Sequence, residues 1–270
     1  MAGILSIQFN PVLGNKQRNL IYVEDIIKKH SDKALDLILL PEFFSTGISH
    51  EQFEKYPEDE TGEETINRIK NVAKKYKTNI IAGTVIEKCS GKYYNTSFAI
   101  DRNGEILAKY RKIHLYNYMG GNEGELITPG ENEIVVNFDF AKVGMAVCFD
   151  IRYPLHFKKL VKAGAQIIVL PTAWIIPNEV YDDKDALKCA QEMWIAMTRT
   201  RAYDNMVYIV SSNQVGRVNE NVSVLGTSLI VSPTAEILAN AGLDQNEIYS
   251  EIDINIVDYL KSIYPISQID

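Results

Sequence analysis

The chain has 270 residues, of which 46% are hydrophobic, enough for one α/β domain with a sizeable core. Its 28 basic and 35 acidic side chains leave a net charge of −7, with no block of basic residues against that balance, so nucleic acid and anionic membranes are poor partners. No apolar run approaches the ~18 residues that span a bilayer, the first residues lack a secretory signal, and Cys89, Cys148 and Cys189 are an odd set without C-x-x-C spacing. A cytoplasmic protein with free thiols and no structural zinc is expected.

The alternating run Ile4–Phe9 reads as a strand that stops at Asn10-Pro11. Asn19–His30 has apolar residues at helical spacing and a lysine-rich end. Leu35–Leu40 is a nearly all-apolar strand that ends at Pro41-Glu42. A helix over Glu63–Tyr76 and a strand over Asn79–Ile86 follow. Tyr94–Ile100 and Glu105–Tyr110 flank Asn103-Gly104, a strong hairpin signal. Glu133–Phe138 and Lys142–Phe149 read as strands, Pro154–Ala163 as a helix stopped by Gly164, and Gln166–Leu170 as a buried strand. The long helix Asp185–Tyr203 precedes strands at Met206–Ser211, Ser223–Val231, Glu236–Leu238 and Glu247–Ile254. No repeat or linker divides the chain, so residues 1–270 read as a single domain. The early β-α-β-α-β order with later hairpins implies mixed sheets, and two sheets sandwiched between helix layers would hold this many strands.

Catalytic groups in such folds favour strand ends, where loops leave a rigid scaffold. Three polar residues end apolar runs or follow a strand. Glu42 follows Leu37-Ile38-Leu39-Leu40-Pro41; taken alone it is equally a loop or capping acid. Cys148 ends Val143-Gly144-Met145-Ala146-Val147; most free cysteines are small core hydrophobes, but the turn-forming Phe149-Asp150-Ile151-Arg152-Tyr153-Pro154 places this thiol at a strand-to-helix elbow. Backbone N–H groups at such an elbow can face an oxyanion. Lys112, in Arg111-Lys112-Ile113-His114, reads alone as part of a solvated basic stretch. The Asn-x-Ser sites at Asn95 and Asn221 carry little meaning in a cytoplasmic chain.

In order, these segments resemble those of the nitrilase superfamily of carbon–nitrogen hydrolases, amidase-like branch. Pro41-Glu42-Phe43, Arg111-Lys112-Ile113-His114-Leu115 and Cys148-Phe149-Asp150-Ile151-Arg152-Tyr153-Pro154 carry the resemblance. Arg201-Ala202-Tyr203-Asp204-Asn205 and Gly226-Thr227-Ser228 extend it over the whole chain. It implies a four-layer αββα sandwich and a Glu42–Lys112–Cys148 triad. It also implies a second glutamate before Pro129-Gly130; Glu123 fits that offset best, with Glu125 as its rival. Two departures stand out: Asp204 where glutamate is commoner, and Pro171-Thr172-Ala173-Trp174 where many amidases have an Asn-Trp-Pro-like run, which leaves the substrate open.

The expected reaction is hydrolysis of the C–N bond of a small ω-amide or short aliphatic amide. Glu42 activates the Cys148 thiol, Lys112 and the Phe149 N–H hold the oxyanion, and a thioester forms and is hydrolysed with release of ammonia. Glu123 would position Lys112 or the substrate amine. Trp174 is a pocket candidate, and Arg152 would meet an acid-bearing substrate unless it simply pairs with Asp150. No cofactor is required, and His30, His50, His114 and His156 form no metal-ligand pair. Rival readings are an N-carbamoyl hydrolase or nitrilase using the same triad, a cysteine–histidine hydrolase with His114 or His156 as base, and a catalytically silent binding protein on this fold. The apolar tail of about 256–270, with Tyr259, Leu260, Ile263, Tyr264 and Ile266, suits a homodimer interface.

Overall fold

A computed structural model describes residues 1–62, 64–118 and 121–264; Ile266 of the apolar tail lies outside them. The first part of the chain builds β1 (Ala2–Gln8), α1 (Lys16–Lys29), β2 (Leu37–Leu39), α2 (His50–Lys55), α3 (Thr65–Tyr76), β3 (Asn79–Ile81), β4 (Val85–Cys89), β5 (Lys92–Ile100) and β6 (Ile106–Arg111). The middle builds β7 (Ile134–Asn137), β8 (Lys142–Met145), α4 (Pro154–Lys162), β9 (Ile167–Thr172), β10 (Ile175–Pro177), α5 (Asn178–Asp182) and α6 (Lys184–Asn205). Then come β11 (Tyr208–Asn213), β12 (Val215–Arg217), β13 (Val222–Leu225), β14 (Leu229–Val231), β15 (Ile237–Asn240), β16 (Asn246–Ile252) and α7 (Asn255–Ile263).

Two mixed sheets result. The first runs β16-β1-β2-β3-β5-β4, with β6 also paired to β5, and the second runs β15-β14-β11-β9-β8-β7. Each has a parallel heart, β1-β2-β3 in one and β8-β9-β11 in the other, with antiparallel strands at its edges. The parallel hearts explain the nearly continuous apolar runs, because both faces of those strands are covered.

The two-residue side-chain period divides the first sheet between two cores. Leu5, Ile7, Ile38 and Ile80 face Leu20, Val23 and Ile27 of α1 and Ile66, Ile69 and Val72 of α3. Ile4, Leu37, Leu39 and Ile81 face the other way, into one cluster with Val143, Ile167 and Val169 of the second sheet. The Ser6 hydroxyl donates to the Ser211 carbonyl (2.8 Å) and the Ser212 hydroxyl to the Ile7 carbonyl (2.6 Å), tying β1 to β11 across the sandwich. Helices α4 and α6 cover the outer face of the second sheet, completing the αββα order.

Three expected strands end differently. Asn79–Ile86 divides into β3 and β4 around Gly83, at φ +46°, where a Cβ would stand 2.0 Å from the Pro41 carbonyl oxygen. Ser223–Val231 divides into β13 and β14 at Gly226 and Thr227, both with positive φ. Lys142–Phe149 stops at Met145, and Cys148–Arg152 winds instead into a short 3-10 turn. A third, three-stranded sheet, β10-β13-β12, was not expected; its strands are short and two of them are only three residues long. Among the described residues no helix is long and apolar enough to cross a membrane.

Candidate active site

Glu42, Lys112 and Cys148 come from separate strand ends, and Glu123 from a short 3-10 turn (Glu123–Glu125) in the loop after β6. Glu42 leaves β2 where Pro41 presses on Gly83. Its own carbonyl accepts from the buried Gln214 amide (2.6 Å), and the next residue, Phe43, is held at φ +52° with its N–H on the Thr84 hydroxyl (2.9 Å). Lys112 follows β6 directly, its N–H on the Asn95 carbonyl (2.8 Å) and its carbonyl accepting from Gly130 N–H (2.8 Å). Cys148 opens the 3-10 turn after β8 at φ +45°. A left-handed conformation costs a non-glycine residue about 1–3 kcal/mol, so the surrounding structure must impose it. Arg201 of α6 contributes, its Nε donating to the Ile151 carbonyl (2.9 Å).

Glu42, Lys112 and Glu123 form one buried charge cluster, and the Cys148 thiol feels the charges of Glu42 and Lys112. Lys112 Nζ donates to Glu42 Oε1 (3.0 Å) and Glu123 Oε2 (2.8 Å), with Lys112 and Glu42 side chains each only 2% exposed. Two of its three protons are thereby used. Glu42 Oε2 accepts from the Ala173 N–H (2.9 Å), and Glu123 Oε2 also from the Tyr116 N–H (2.9 Å). Asn95 Nδ2 donates to Glu42 Oε1 (2.8 Å) and to Glu123 Oε1 (2.9 Å). Glu125 points elsewhere, bonded to Asn122 at the surface.

Burial pushes the Glu42 carboxyl above the ordinary carboxylate range; Lys112 opposes that shift and Glu123 reinforces it. Burial alone would lower the Lys112 ammonium, but the two glutamates reverse this and hold it well above its ordinary value. Burial and the Glu42 charge drive the Cys148 thiol well up, against the pull of Lys112. Burial thus disfavours the thiolate at Cys148 and strengthens the Glu42 carboxylate as a proton acceptor.

The Phe149 ring packs edge-on against Tyr116 (5.3 Å) and beside Tyr118 (5.7 Å). Arg152 is exposed at the rim, its guanidinium 5.5 Å from the Trp174 ring and 5.8 Å from the Phe149 ring. It does not pair with Asp150. That carboxylate is fully buried and fully engaged: Oδ2 accepts from Val147 N–H (2.8 Å) and the Tyr110 hydroxyl (2.7 Å), and Oδ1 from His114 N–H (3.1 Å) and bonds His114 Nδ1 (2.7 Å). Burial would raise its pKa, but these partners, His114 foremost, hold it low. Asp150 thus anchors the Cys148 turn and the Lys112 segment to one point. Asp150→Asn is expected to cost about 1–3 kcal/mol for each buried donor left without an acceptor and to lower kcat with it; an unchanged urea midpoint would refute this anchoring role.

His114 is bound to Asp150 and stacked on Tyr153 (3.6 Å), and His156 is buried beside Tyr110 and Phe157 with its pKa lowered by burial. Among the described residues one group, Glu60, Glu87 and Cys89, brings possible metal ligands within 4.8 Å of one another. Glu87 is already taken by Lys109 (2.6 Å), Arg111 (2.7 Å) and Thr96 (2.7 Å), so its lone pairs are not free for an ion.

The carbon–nitrogen hydrolase family model matches residues 4–261. The chain belongs to the carbon–nitrogen hydrolase family. Among the relatives of this hydrolase, Nitrilase homolog 2 of Dictyostelium discoideum is 34% identical over 263 residues, covering 93% of this chain and 75% of that protein. Omega-amidase NIT3 of Saccharomyces cerevisiae is 28% identical over 266 residues, covering 95% and 87%. The 2-oxoglutaramate amidase of Bacillus subtilis is 28% identical over 251 residues, covering 93% and 90%. The crystal structure of yeast Nit3, a member of branch 10 of the nitrilase superfamily, superposes with a TM-score of 0.86 at 25% identity, covering 99% of this chain and 96% of that one.

Two residues at the hydrolase site escaped the sequence reading. Asn95 looked like an unused glycosylation acceptor, yet it is fully buried in β5 between the two glutamates. Asp150 looked like a partner for Arg152, yet it serves the backbone of the Cys148 turn. A run of polar residues inside a strand, Asn95-Thr96-Ser97, was the available signal for the first, since buried polar side chains need partners.

Proposed function

We propose that this carbon–nitrogen hydrolase is an ω-amidase, cleaving the terminal amide of a small carboxylic acid through a thioester on Cys148. The observation that carries the chemistry is the buried Lys112 bridged between two glutamates beside a thiol held at φ +45°. Glu42 removes the thiol proton, and the sulfur attacks the amide carbon. The third Lys112 proton and the Phe149 N–H receive the oxyanion. Glu42 returns the proton to the nitrogen, the C–N bond breaks and ammonia leaves. Glu42 then deprotonates water, which attacks the thioester; the C–S bond breaks and Cys148 regains its proton. Glu123 holds Lys112 in place.

The acid end of the substrate is assigned to Arg152, a guanidinium over the aromatic rim with no carboxylate partner among the described residues. The omega-amidase and 2-oxoglutaramate amidase names of the relatives agree with this choice. The test is ammonia release over ω-amides of dicarboxylates, neutral aliphatic amides, N-carbamoyl compounds and nitriles. Acid-bearing ω-amides should be preferred, and Arg152→Ala should raise KM about 10- to 100-fold for them, the range of one charge-assisted hydrogen bond, without affecting a neutral amide. Equal loss on both, or a preference for nitriles or carbamoyl compounds, would overturn the assignment.

The proposal includes a homodimer in a cytoplasmic setting. Ile256, Tyr259, Ile263 and Tyr264 leave an apolar stripe exposed on and just after α7, although Val257 docks into the chain's own core. The three free cysteines suit a reducing compartment.

A further inference from the structure

Asn95 spends both amide hydrogens on carboxylates. Nδ2 lies 2.8 Å from Glu42 Oε1 and 2.9 Å from Glu123 Oε1, and the residue is fully buried. Its Oδ1 is also buried and has no hydrogen-bond partner among the described residues. An orphaned buried carbonyl is costly, and proteins seldom keep one without return. Rotating the amide would not relieve it, because Oδ1 would then face two carboxylate oxygens. The orientation is therefore decided by the glutamates alone.

The consequence concerns charge. Two carboxylates around one ammonium carry a net charge of −1 in a dry site, and the simplest relief is for one of them to take up a proton. A protonated Glu42 could not act as base. Lys112 reaches each glutamate through one oxygen. Besides Lys112 and one backbone N–H on each, from Ala173 on Glu42 and Tyr116 on Glu123, the Asn95 amide gives each glutamate a third donor without adding charge, and among the described residues it alone reaches both carboxylates as a neutral side chain; its backbone carbonyl holds the Lys112 N–H (2.8 Å).

We propose that Asn95 is a positioning residue that keeps Glu42 and Glu123 as a matched pair of carboxylates around Lys112, so that the base is ionised at working pH. This rests on the reading of Glu42 as the base. Without the amide, Glu42 loses a hydrogen bond that favours its charged form, and its protonation extends to higher pH. The rate then falls at neutral pH and returns as pH rises.

The experiment measures kcat/KM against pH for wild type, Asn95→Leu, Asn95→Ala and Glu42→Gln, with ammonia release from the best ω-amide as readout and thermal melts as the folding check. In Asn95→Leu the acid limb should move up by about one pH unit or more, which is a loss of about tenfold or more at pH values below it, with recovery at alkaline pH. If Asn95→Leu does not fold, Asn95→Ala carries the same comparison. An acid limb that stays in place, or a loss equal at every pH, overturns the proposal. Glu42→Gln separates the two layers: if it keeps wild-type activity, the base assignment itself has failed, whereas an inactive Glu42→Gln beside an unmoved Asn95 profile rejects Asn95 alone.

Discussion

Cys148→Ala is expected to lower ammonia release by about 10⁴-fold or more, and to do so without unfolding the protein. The thiol is buried, with 7% of the residue exposed, and the reading above gives it the covalent step. Neither a water nor the alanine methyl can form a thioester. The backbone strain at this position does not depend on sulfur, because alanine also carries a Cβ at φ +45°. The thermal midpoint should therefore change little, and the sandwich should melt in one transition. Intact-mass measurement after rapid quenching gives the direct check: wild type should carry an acyl adduct on Cys148 and the variant none. Ammonia release by Cys148→Ala at the wild-type rate would reject the nucleophile assignment, and with it the proposed reaction.

Lys112→Met should show the largest combined loss of activity and stability. It removes the one ammonium between Glu42 and Glu123 and leaves two carboxylates facing each other in a buried site. Breaking a buried ion pair from one side costs about 3–5 kcal/mol, which for a chain of this size is a fall in the thermal midpoint of about 6–20 °C. The variant's stability should depend on pH in a stated direction. With the ammonium gone, the Glu42 carboxyl, already raised by burial, is pushed up further in the folded state. The folded protein then holds protons more tightly than the unfolded one at neutral pH, so stability falls as pH rises through that window. Lys112→Met should lie nearer wild type at pH 5 than at pH 8. A pH-independent loss would mean that Glu42 and Glu123 do not share a buried charge balance. Activity should fall by about 10²–10³-fold, the scale of one oxyanion donor.

The parallel strands and the helices over them were legible because their residues obey local periodicities. Ile4–Phe9, Leu35–Leu40 and Gln166–Leu170 matched β1, β2 and β9 closely, and α1, α3, α4 and α6 fell where apolar spacing and the Pro154 and Gly164 signals placed them. Breaks imposed from outside a strand were not legible. The halt at Gly83 depends on the Pro41 carbonyl from the loop after β2, and the 3-10 turn at Cys148 on Asp150, whose partners Tyr110 and His114 come from β6 and the loop beyond it.

Glu42, Lys112 and Cys148 could be singled out as polar residues that end apolar runs or follow a strand, because strand ends are where a rigid scaffold meets loops, and Glu123 through the resemblance alone, by its offset from Pro129-Gly130. Their shared charge could not. Whether Lys112 is a solvated lysine or a buried ammonium depends on two carboxylates 70 and 11 positions away in the chain. Asn95 and Asp150 changed meaning altogether, from an unused sugar acceptor and a surface partner to buried hydrogen-bonding centres. The amino-acid sequence by itself pointed to the layers through periodicity, and to the family through an ordered resemblance of motifs. Only the tertiary structure decided that Lys112 is buried between two carboxylates, that Asp150 pairs with His114 and not with Arg152, and what holds Cys148 in its strained turn, because desolvation and hydrogen bonding arise when distant segments pack together.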